Sequence, residues 1–421
     1  MQPHFFFSAL IISISYSKDN QIMKLTGISI GKMLVLKSRN QKRYSNMNKN
    51  WISVWGNAMS IAENRPEGYG KNITLRYPFF SPFEGEKIRL TFDNYCGTEP
   101  VTISKVTICQ NHKFYPVTCN GEASFMISTG STAVTDPLDL SICANETLEI
   151  SFYLAGYTQL RSAVFASGSY SKGLYAVGDQ TENPDISIDI SRKINMFYFL
   201  SNISVYTDTT NRHAIVCYGD SITAQAWPDY LKKRCQQTGA CGTSVIRRAT
   251  SGSRILREYS CITYESYGLK GTRRFGHEVP TDGADTVIIQ QGINDIIHPV
   301  GTDINPFRPM SDLPTSQELI DGLKWYIDQS RALGYLVYVG TLLPIKGWRT
   351  YAPFREELRM QYNDWIRSTD LIDGCIDFDL AVRSDSDHTA FAEGFDSGDH
   401  LHPSLRGYEA MADAIPDILL F

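Results

Sequence analysis

From about Trp51 to Thr210 the apolar residues fall in short runs, and several alternate with polar ones, as in Ile88-Arg89-Leu90-Thr91-Phe92. A side-chain period of two marks a strand with one face buried. Residues 73–77, 87–92, 101–108, 124–127, 147–154 and 197–206 therefore read as strands, separated by Gly, Pro, Asn or Asp. No helical pattern of convincing length interrupts them. Short strands at even spacing predict an all-β sandwich or jelly-roll-like domain over residues 49–210.

At Arg212 the pattern changes. Five mostly apolar runs, 214–218, 244–248, 285–290, 335–342 and 375–378, alternate with amphipathic segments of helical period. The clearest of these helices opens on Thr315-x-x-Glu318, a capping box. It carries Leu319, Ile320, Leu323, Tyr326 and Ile327 on one face and meets Gly334 where a C-terminal cap belongs. A second is expected over 354–368, with Leu358, Tyr362, Trp365 and Ile366 inward. A last one starts near Ser404 and buries Tyr408, Met411, Ala412 and Ile415. Strand–helix alternation of this kind predicts an α/β domain over 211–421, a flavodoxin-like three-layer α/β/α arrangement around a parallel sheet.

Composition narrows the class. The chain has 421 residues, long enough for two domains, and its hydrophobic content of 42% supports a sizeable core. A formal net charge of −5 and no long basic run argue against nucleic acid or an anionic membrane as partner. Oligomeric state is left open. Among nine cysteines there is no Cys-x-x-Cys pair, so zinc spacings are missing. Cys217 falls in a buried strand and is expected as a free thiol, whereas Cys235 and Cys241 are close enough for a local disulfide. The pattern leans to a reducing compartment, so the expected location is cytoplasmic, with export as the alternative. The apolar run 5–16 has signal-peptide length but no basic residues before it and no small-x-small site after it, and it is too short to span a membrane. Residues 1–48 are read as a leader or an over-extended start, with a poor signal peptide as the alternative.

Chemistry-bearing residues fall at corresponding places in the α/β half. Gly219-Asp220-Ser221 follows the first strand and Ser251-Gly252-Ser253 the second. Gly292-Ile293-Asn294 follows the third, and Asp399-His400-Leu401-His402 precedes the last helix. The carboxyl edge of a parallel sheet is where ligands bind, so one crevice can gather all four blocks. A serine hydroxyl becomes a nucleophile when an imidazole takes its proton and a carboxylate orients that imidazole. A glycine lets a backbone N–H approach a developing oxyanion, and an asparagine amide adds a second donor. Each residue also has a plain structural reading: Asn294 and Gly252 as turn residues, Asp220 as a turn-fixing carboxylate, and Trp227, Trp348 and Tyr351 as core rather than sugar-stacking rings. His298 reads as an exposed loop histidine or as part of the mouth of the site.

The four blocks resemble the SGNH (GDSL-type) hydrolases, whose signature is Ser, Gly, Asn and His in separate blocks. The resemblance implies Ser221 as nucleophile, His402 as general base and Asp399 as its orienting partner. It also implies an oxyanion hole built from the Ser221 and Gly252 amides and the Asn294 side chain. His402 is preferred over His400 because it stands three residues after Asp399 and just before Pro403, as in the family block. The tail from Asp396 to Pro403 and the start of the β-region are similar to a subgroup of acyl esterases associated with xylan degradation. One departure is Ala224-Gln225, where many relatives carry Asp-Gly, a change at the pocket wall. The expected activity is deacetylation of plant-cell-wall oligosaccharides through an acyl-enzyme, with no metal or organic cofactor. A lipid esterase or thioesterase of the same fold, or a non-catalytic carbohydrate-binding protein, are the competing readings.

Overall fold

The apolar run after Arg212 becomes strand β1 (His213–Gly219), all seven of whose residues are buried in the computed structural model. The structure describes residues 49–61, 68–168, 172–239 and 242–421, so the reading of residues 1–48 and the Cys235–Cys241 pairing fall outside the described residues. Strands β2 (Thr243–Ala249), β3 (Ala284–Gln290), β4 (Leu336–Gly340) and β5 (Gly374–Ile376) join β1 in one parallel sheet of order β2-β1-β3-β4-β5. Strand order reverses beside β1, and in an open α/β sheet that switch point opens the ligand crevice at the carboxyl ends of the strands. Cys217 is a free, buried thiol.

Eight helices are used here: α1 (Ser221–Ala224), α2 (Trp227–Thr238), α3 (Gly271–Glu278), α4 (Ile293–Ile297), α5 (Ser316–Ala332), α6 (Pro353–Ser368), α7 (Phe378–Val382) and α8 (Leu405–Asp413). They pack in two sets, α2 with α8 and α8 with α7 in one, α5 with α3 and α6 and α6 with α4 in the other. Helix α5 begins on the Thr315–Glu318 capping box and is followed by Gly334 at φ 77°. Helix α8 starts where Ser404 accepts from the Gly407 amide at 3.2 Å.

The N-terminal region is rich in antiparallel strands. One sheet runs in the order Asn50–Gly56, Leu200–Thr207, Gly85–Asp93, Thr132–Val134, with Leu138–Ile142 also on the third strand. A second runs Ser191–Ile194, Gly173–Val177, Ile73–Phe80, Thr147–Leu154, Lys105–Gln110, Lys113–Val117. Alternation does what the period demands: Ile88, Leu90 and Phe92 are buried in one apolar cluster with Leu75, Ile150 and Phe152 of the second sheet. Two expected strands are each broken. The run 101–108 divides at Ser104, and 197–206 divides at Phe199, which is fully buried at φ 60°. That left-handed residue lets the chain leave a small sheet (Ser60–Ile61, Ser162–Phe165, Met196–Tyr198) and enter the first large one.

The two regions share packing. Ile246 of β2 lies against Gly56, where a Cβ would come within 2.8 Å of it, so the strand Asn50–Gly56 can approach only with glycine there. Ser53 donates its amide to the Asp282 carbonyl at 2.9 Å and accepts at its own carbonyl from Ser244 at 2.5 Å. Strand β2 carries two adjacent buried arginines. Arg247 pairs with Asp229 at 2.7 Å, and Arg248 donates to the Ser201 carbonyl at 2.7 Å and to Asn202 Oδ1 at 3.0 Å.

Candidate active site

Ser221 follows β1 by two residues and opens α1, so its N–H is one of the helix's unmatched donors. Asp220 caps that helix, its Oδ1 accepting from the Ile222 amide at 3.1 Å. The loop before α8 brings His402 over the serine: Nε2 lies 2.8 Å from Ser221 Oγ and Nδ1 lies 2.6 Å from Asp399 Oδ2. Asp399 Oδ1 also accepts the amides of His402 at 2.8 Å and Leu401 at 3.0 Å. Partial burial works against the Asp399 charge, yet the bonds from the His402 ring and these amides hold its carboxyl well below the usual carboxylate range. His400 belongs to a separate pair. It sits at φ 62° with Nδ1 2.5 Å from Asp396 Oδ2, its ring against Gly347.

The loop after β2 supplies Gly252 at φ 78°, where a Cβ would come within 2.3 Å of the Tyr267 ring. Among the described residues its amide makes no hydrogen bond. Asn294 stands second in α4, 3% exposed, and gives one amide hydrogen to the Ser253 carbonyl at 3.1 Å, leaving the other to a ligand. Serine, imidazole, carboxylate, glycine amide and asparagine amide are the parts that acyl transfer requires.

Beneath them runs a buried polar network that the sequence reading did not find. Arg274 of α3 donates to the Gly219 carbonyl at 2.5 Å and to Ser253 Oγ at 3.2 Å, and its guanidinium lies over the Tyr218 ring. Gln291 donates to Ser253 Oγ at 3.0 Å and accepts from the Tyr326 hydroxyl at 3.0 Å. Asp295 accepts the amides of Ile255 at 2.7 Å and Leu256 at 3.1 Å, tying α4 to the Gly252 loop. Burial pushes its carboxyl up to about 6 despite those bonds. Burial likewise lifts Asp220 to about 7.

His298 corrects the expectation of an exposed loop histidine. It lies one turn beyond Asn294, is 6% exposed, packs on Tyr267 with ring centroids 5.0 Å apart and meets the Tyr259 hydroxyl at 3.2 Å. Burial, with Arg308, Arg254 and Arg349 nearby, holds it well below the ordinary histidine range. Trp227 is fully buried against Phe378, and Trp348 and Tyr351 are partly buried on the same core. The strand-rich region also reaches this end of the sheet. Ser167 donates its amide to the Ala224 carbonyl at 3.3 Å, and Ala163, Phe165 and Met196 line a crevice of about 60 Å³ with Thr250, Ser251 and Tyr267.

A sequence model of the GDSL-like lipase/acylhydrolase family matches residues 217–410, a span that holds Ser221, Gly252, Asn294, Asp399 and His402. Residues 217–410 form a GDSL-type acylhydrolase domain. The protein is accordingly a hydrolase of the esterase class. Solved structures similar to part of this chain include a GDSL-like lipase from Bacteroides thetaiotaomicron, 16% identical, with a TM-score of 0.33 over 49% of this chain and 87% of that one. Axe2, an acetylxylan esterase from Geobacillus stearothermophilus, is 19% identical with a TM-score of 0.37 over 48% of this chain and 91% of that one. A comparison with curated proteins finds no match.

Proposed function

We propose that the acylhydrolase domain cleaves carboxylic esters through an acyl-enzyme on Ser221, and that its substrates are acetylated plant-cell-wall oligosaccharides of the xylan type. The observation that carries the chemistry is the chain of short contacts from Ser221 Oγ through the His402 ring to Asp399. In the first half-reaction Ser221 Oγ bonds to the ester carbonyl carbon as its proton passes to His402 Nε2. The amides of Ser221 and Gly252 and the Asn294 side chain receive the oxyanion. Collapse breaks the bond from the carbonyl carbon to the sugar oxygen, and His402 gives its proton to that departing oxygen, which leaves as the sugar hydroxyl. Water then repeats the sequence on the acyl-enzyme and releases the carboxylate. The substrate class is supported by the resemblance of the tail from Asp396 to Pro403 to xylan-associated esterases. In this reading residues 49–210 form an accessory β-sandwich domain whose Phe165 and Met196 wall the crevice.

The test is acetate release from acetylated xylo-oligosaccharides, run beside p-nitrophenyl acetate, with wild type and Ser221→Ala. Wild type is expected to release acetate from both, and the variant to lose about 10⁴-fold or more. Turnover of p-nitrophenyl acetate without sugar deacetylation would sink the substrate class and keep the chemistry. An active Ser221→Ala enzyme would sink both.

A further inference from the structure

The nucleophile and the oxyanion donors of the proposed reaction come after three different strands, β1, β2 and β3. The strand ladders that join them end at the pairs Gly219–Ala249 and Gly219–Gln290, before the residues that carry the chemistry. A displacement of about 1 Å in such a constellation can cost about 10²-fold in rate, so contacts beyond the strand ends must keep the loops in register. One side chain reaches two of the loops directly and the third through a single residue.

Arg274, in the middle of α3 and 1% exposed, donates from Nη2 to the Gly219 carbonyl at 2.5 Å and from Nε to Ser253 Oγ at 3.2 Å. Gly219 stands two residues before Ser221, and Ser253 directly follows Gly252. Ser253 passes the constraint on: its carbonyl accepts the Asn294 side-chain amide at 3.1 Å, and its Oγ also accepts from Gln291 at 3.0 Å. The Gly219 carbonyl has a second donor in the Thr250 amide at 3.2 Å, so the loops after β1 and β2 close on the same acceptor.

Helix α3 is fixed well enough to act as the reference. The Tyr218 hydroxyl donates to the carbonyl of Gly271, its first residue, at 2.7 Å, and the Arg274 guanidinium lies 4.3 Å above the Tyr218 ring. Phe275 stacks on Tyr326 of α5 with ring centroids 4.9 Å apart. Arg274 also pairs with Glu278 one turn on, both side chains buried. Burial works against the Arg274 charge, yet Glu278 outweighs it and holds the guanidinium above its ordinary range. A planar fork that donates in several fixed directions is peculiar to arginine, whereas an ammonium is a single point.

We propose that Arg274 is a positioning residue for the acyl-transfer site: it holds the turn before Ser221 against the loop that carries the Gly252 amide and, through Ser253, against the Asn294 side chain. The inference rests on the acyl-enzyme reading of Ser221. The partners of Arg274 are Gly219, Ser253, Glu278 and the Arg248 carbonyl, none of them a reacting group, so its loss is felt as geometry rather than as substrate binding.

The test measures kcat and KM on p-nitrophenyl acetate, with a thermal melt, for wild type, Arg274→Lys, Glu278→Gln and Ser221→Ala. Arg274→Lys keeps a charge beside Glu278 and loses the fork, so kcat and kcat/KM should fall equally, by about 10²-fold, with KM within about threefold. Glu278→Gln breaks the ion pair and leaves the fork, so it should lower the melting temperature and keep kcat within about threefold of wild type. In an Asn294→Ala background one arm of the oxyanion hole is already gone, and adding Arg274→Lys should cost less than about tenfold. If Arg274→Lys gives no cooperative melt, Arg274→Met combined with Glu278→Gln removes both charges and takes its place. Full activity in the arginine variant, or a loss carried by KM alone, would overturn the assignment. So would equal kcat losses in Glu278→Gln and the arginine variant, or an undiminished loss in the Asn294→Ala background. Ser221→Ala separates this test from the reading beneath it. An active Ser221→Ala enzyme sinks the acyl-enzyme reading, whereas an inactive one beside a fully active arginine variant sinks the positioning role alone.

Discussion

Replacing Asp220 with asparagine probes a buried carboxyl directly under the proposed nucleophile. Asp220 is fully buried, its Oδ1 caps α1, and its Oδ2 meets no hydrogen-bond partner among the described residues. Burial lifts the group to about 7, against the opposing pull of the Ile222 amide, His402 and Arg274. An ordinary aspartate titrates at about 3.9, so about three factors of ten separate the folded from the unfolded value, or roughly 4 kcal/mol. The folded protein holds this proton more tightly than the unfolded chain does. Between about pH 4 and pH 7 the native state therefore binds more protons than the unfolded state, and stability falls as pH rises through that window. Above pH 7 the whole penalty is present.

Asparagine keeps the volume and the capping oxygen and has no charge to bury. Wild type and Asp220→Asn should thus have similar stability near pH 4, and the variant should gain progressively towards pH 8. Relaxation and water entry reduce such penalties in practice, so a gain of about 2 to 4 kcal/mol at pH 8 is expected. Urea unfolding at half-unit steps from pH 4 to 8.5 reads the difference, with equal denaturant slopes as the check on two-state behaviour. Other carboxylates, Asp399 included, titrate alike in both proteins and cancel. A difference that is flat with pH, or that favours wild type at pH 8, would refute the reasoning. It would mean that Asp220 is ionised and compensated by Arg274 or His402.

Asp399→Asn should leave the fold intact and lower kcat by about 10⁴-fold, because His402 loses the partner that sets its tautomer; a loss below tenfold would remove Asp399 from the relay. Asn294→Ala should cost about 10²–10³ in kcat with little change in KM, and a change in KM alone would argue against an oxyanion role. Gly252→Ala puts a Cβ into the Tyr267 ring at a left-handed φ, so at least about 2 kcal/mol of stability and most of the activity should be lost. A thermal melt and an ester assay check both effects, and a wild-type melt would show that the loop has room to move.

Much of this architecture was legible because its signals are local. A parallel strand covered on both faces is a mostly apolar run, and β1, β3 and β4 follow plainly from one. The residues proposed for acyl transfer stand just after three of the five runs or, for His402, just before the last helix, so the order of Ser221, Gly252, Asn294 and His402 along the chain points to one sheet edge. The helix caps at Thr315 and Ser404 were readable for the same reason, since each is settled within four residues. In the strand-rich region the same logic reaches its limit. Thr132–Val134 is too short for an alternation to show, and Lys113–Val117 is largely uncovered, shows no alternation and holds Pro116, as an edge strand can.

What stayed hidden is polar and distant in sequence. Arg274 looks like one more basic residue on an amphipathic helix, yet it holds the Gly219 carbonyl at the foot of the nucleophile loop and Ser253 in the glycine loop. Nothing within its own turn of helix signals either partner. His298 was misjudged because the segment after Asn294 reads as loop. It is instead the C-cap of α4 and lies one helical turn from Asn294. In β2, expected over 244–248 and observed as Thr243–Ala249, the partners of its two adjacent arginines stayed hidden. Their counterparts, Asp229 in α2 and the 201–202 backbone and amide of the other region, arrive only with the tertiary fold. An unpaired buried charge is costly, so such residues persist only where the fold brings a partner to them.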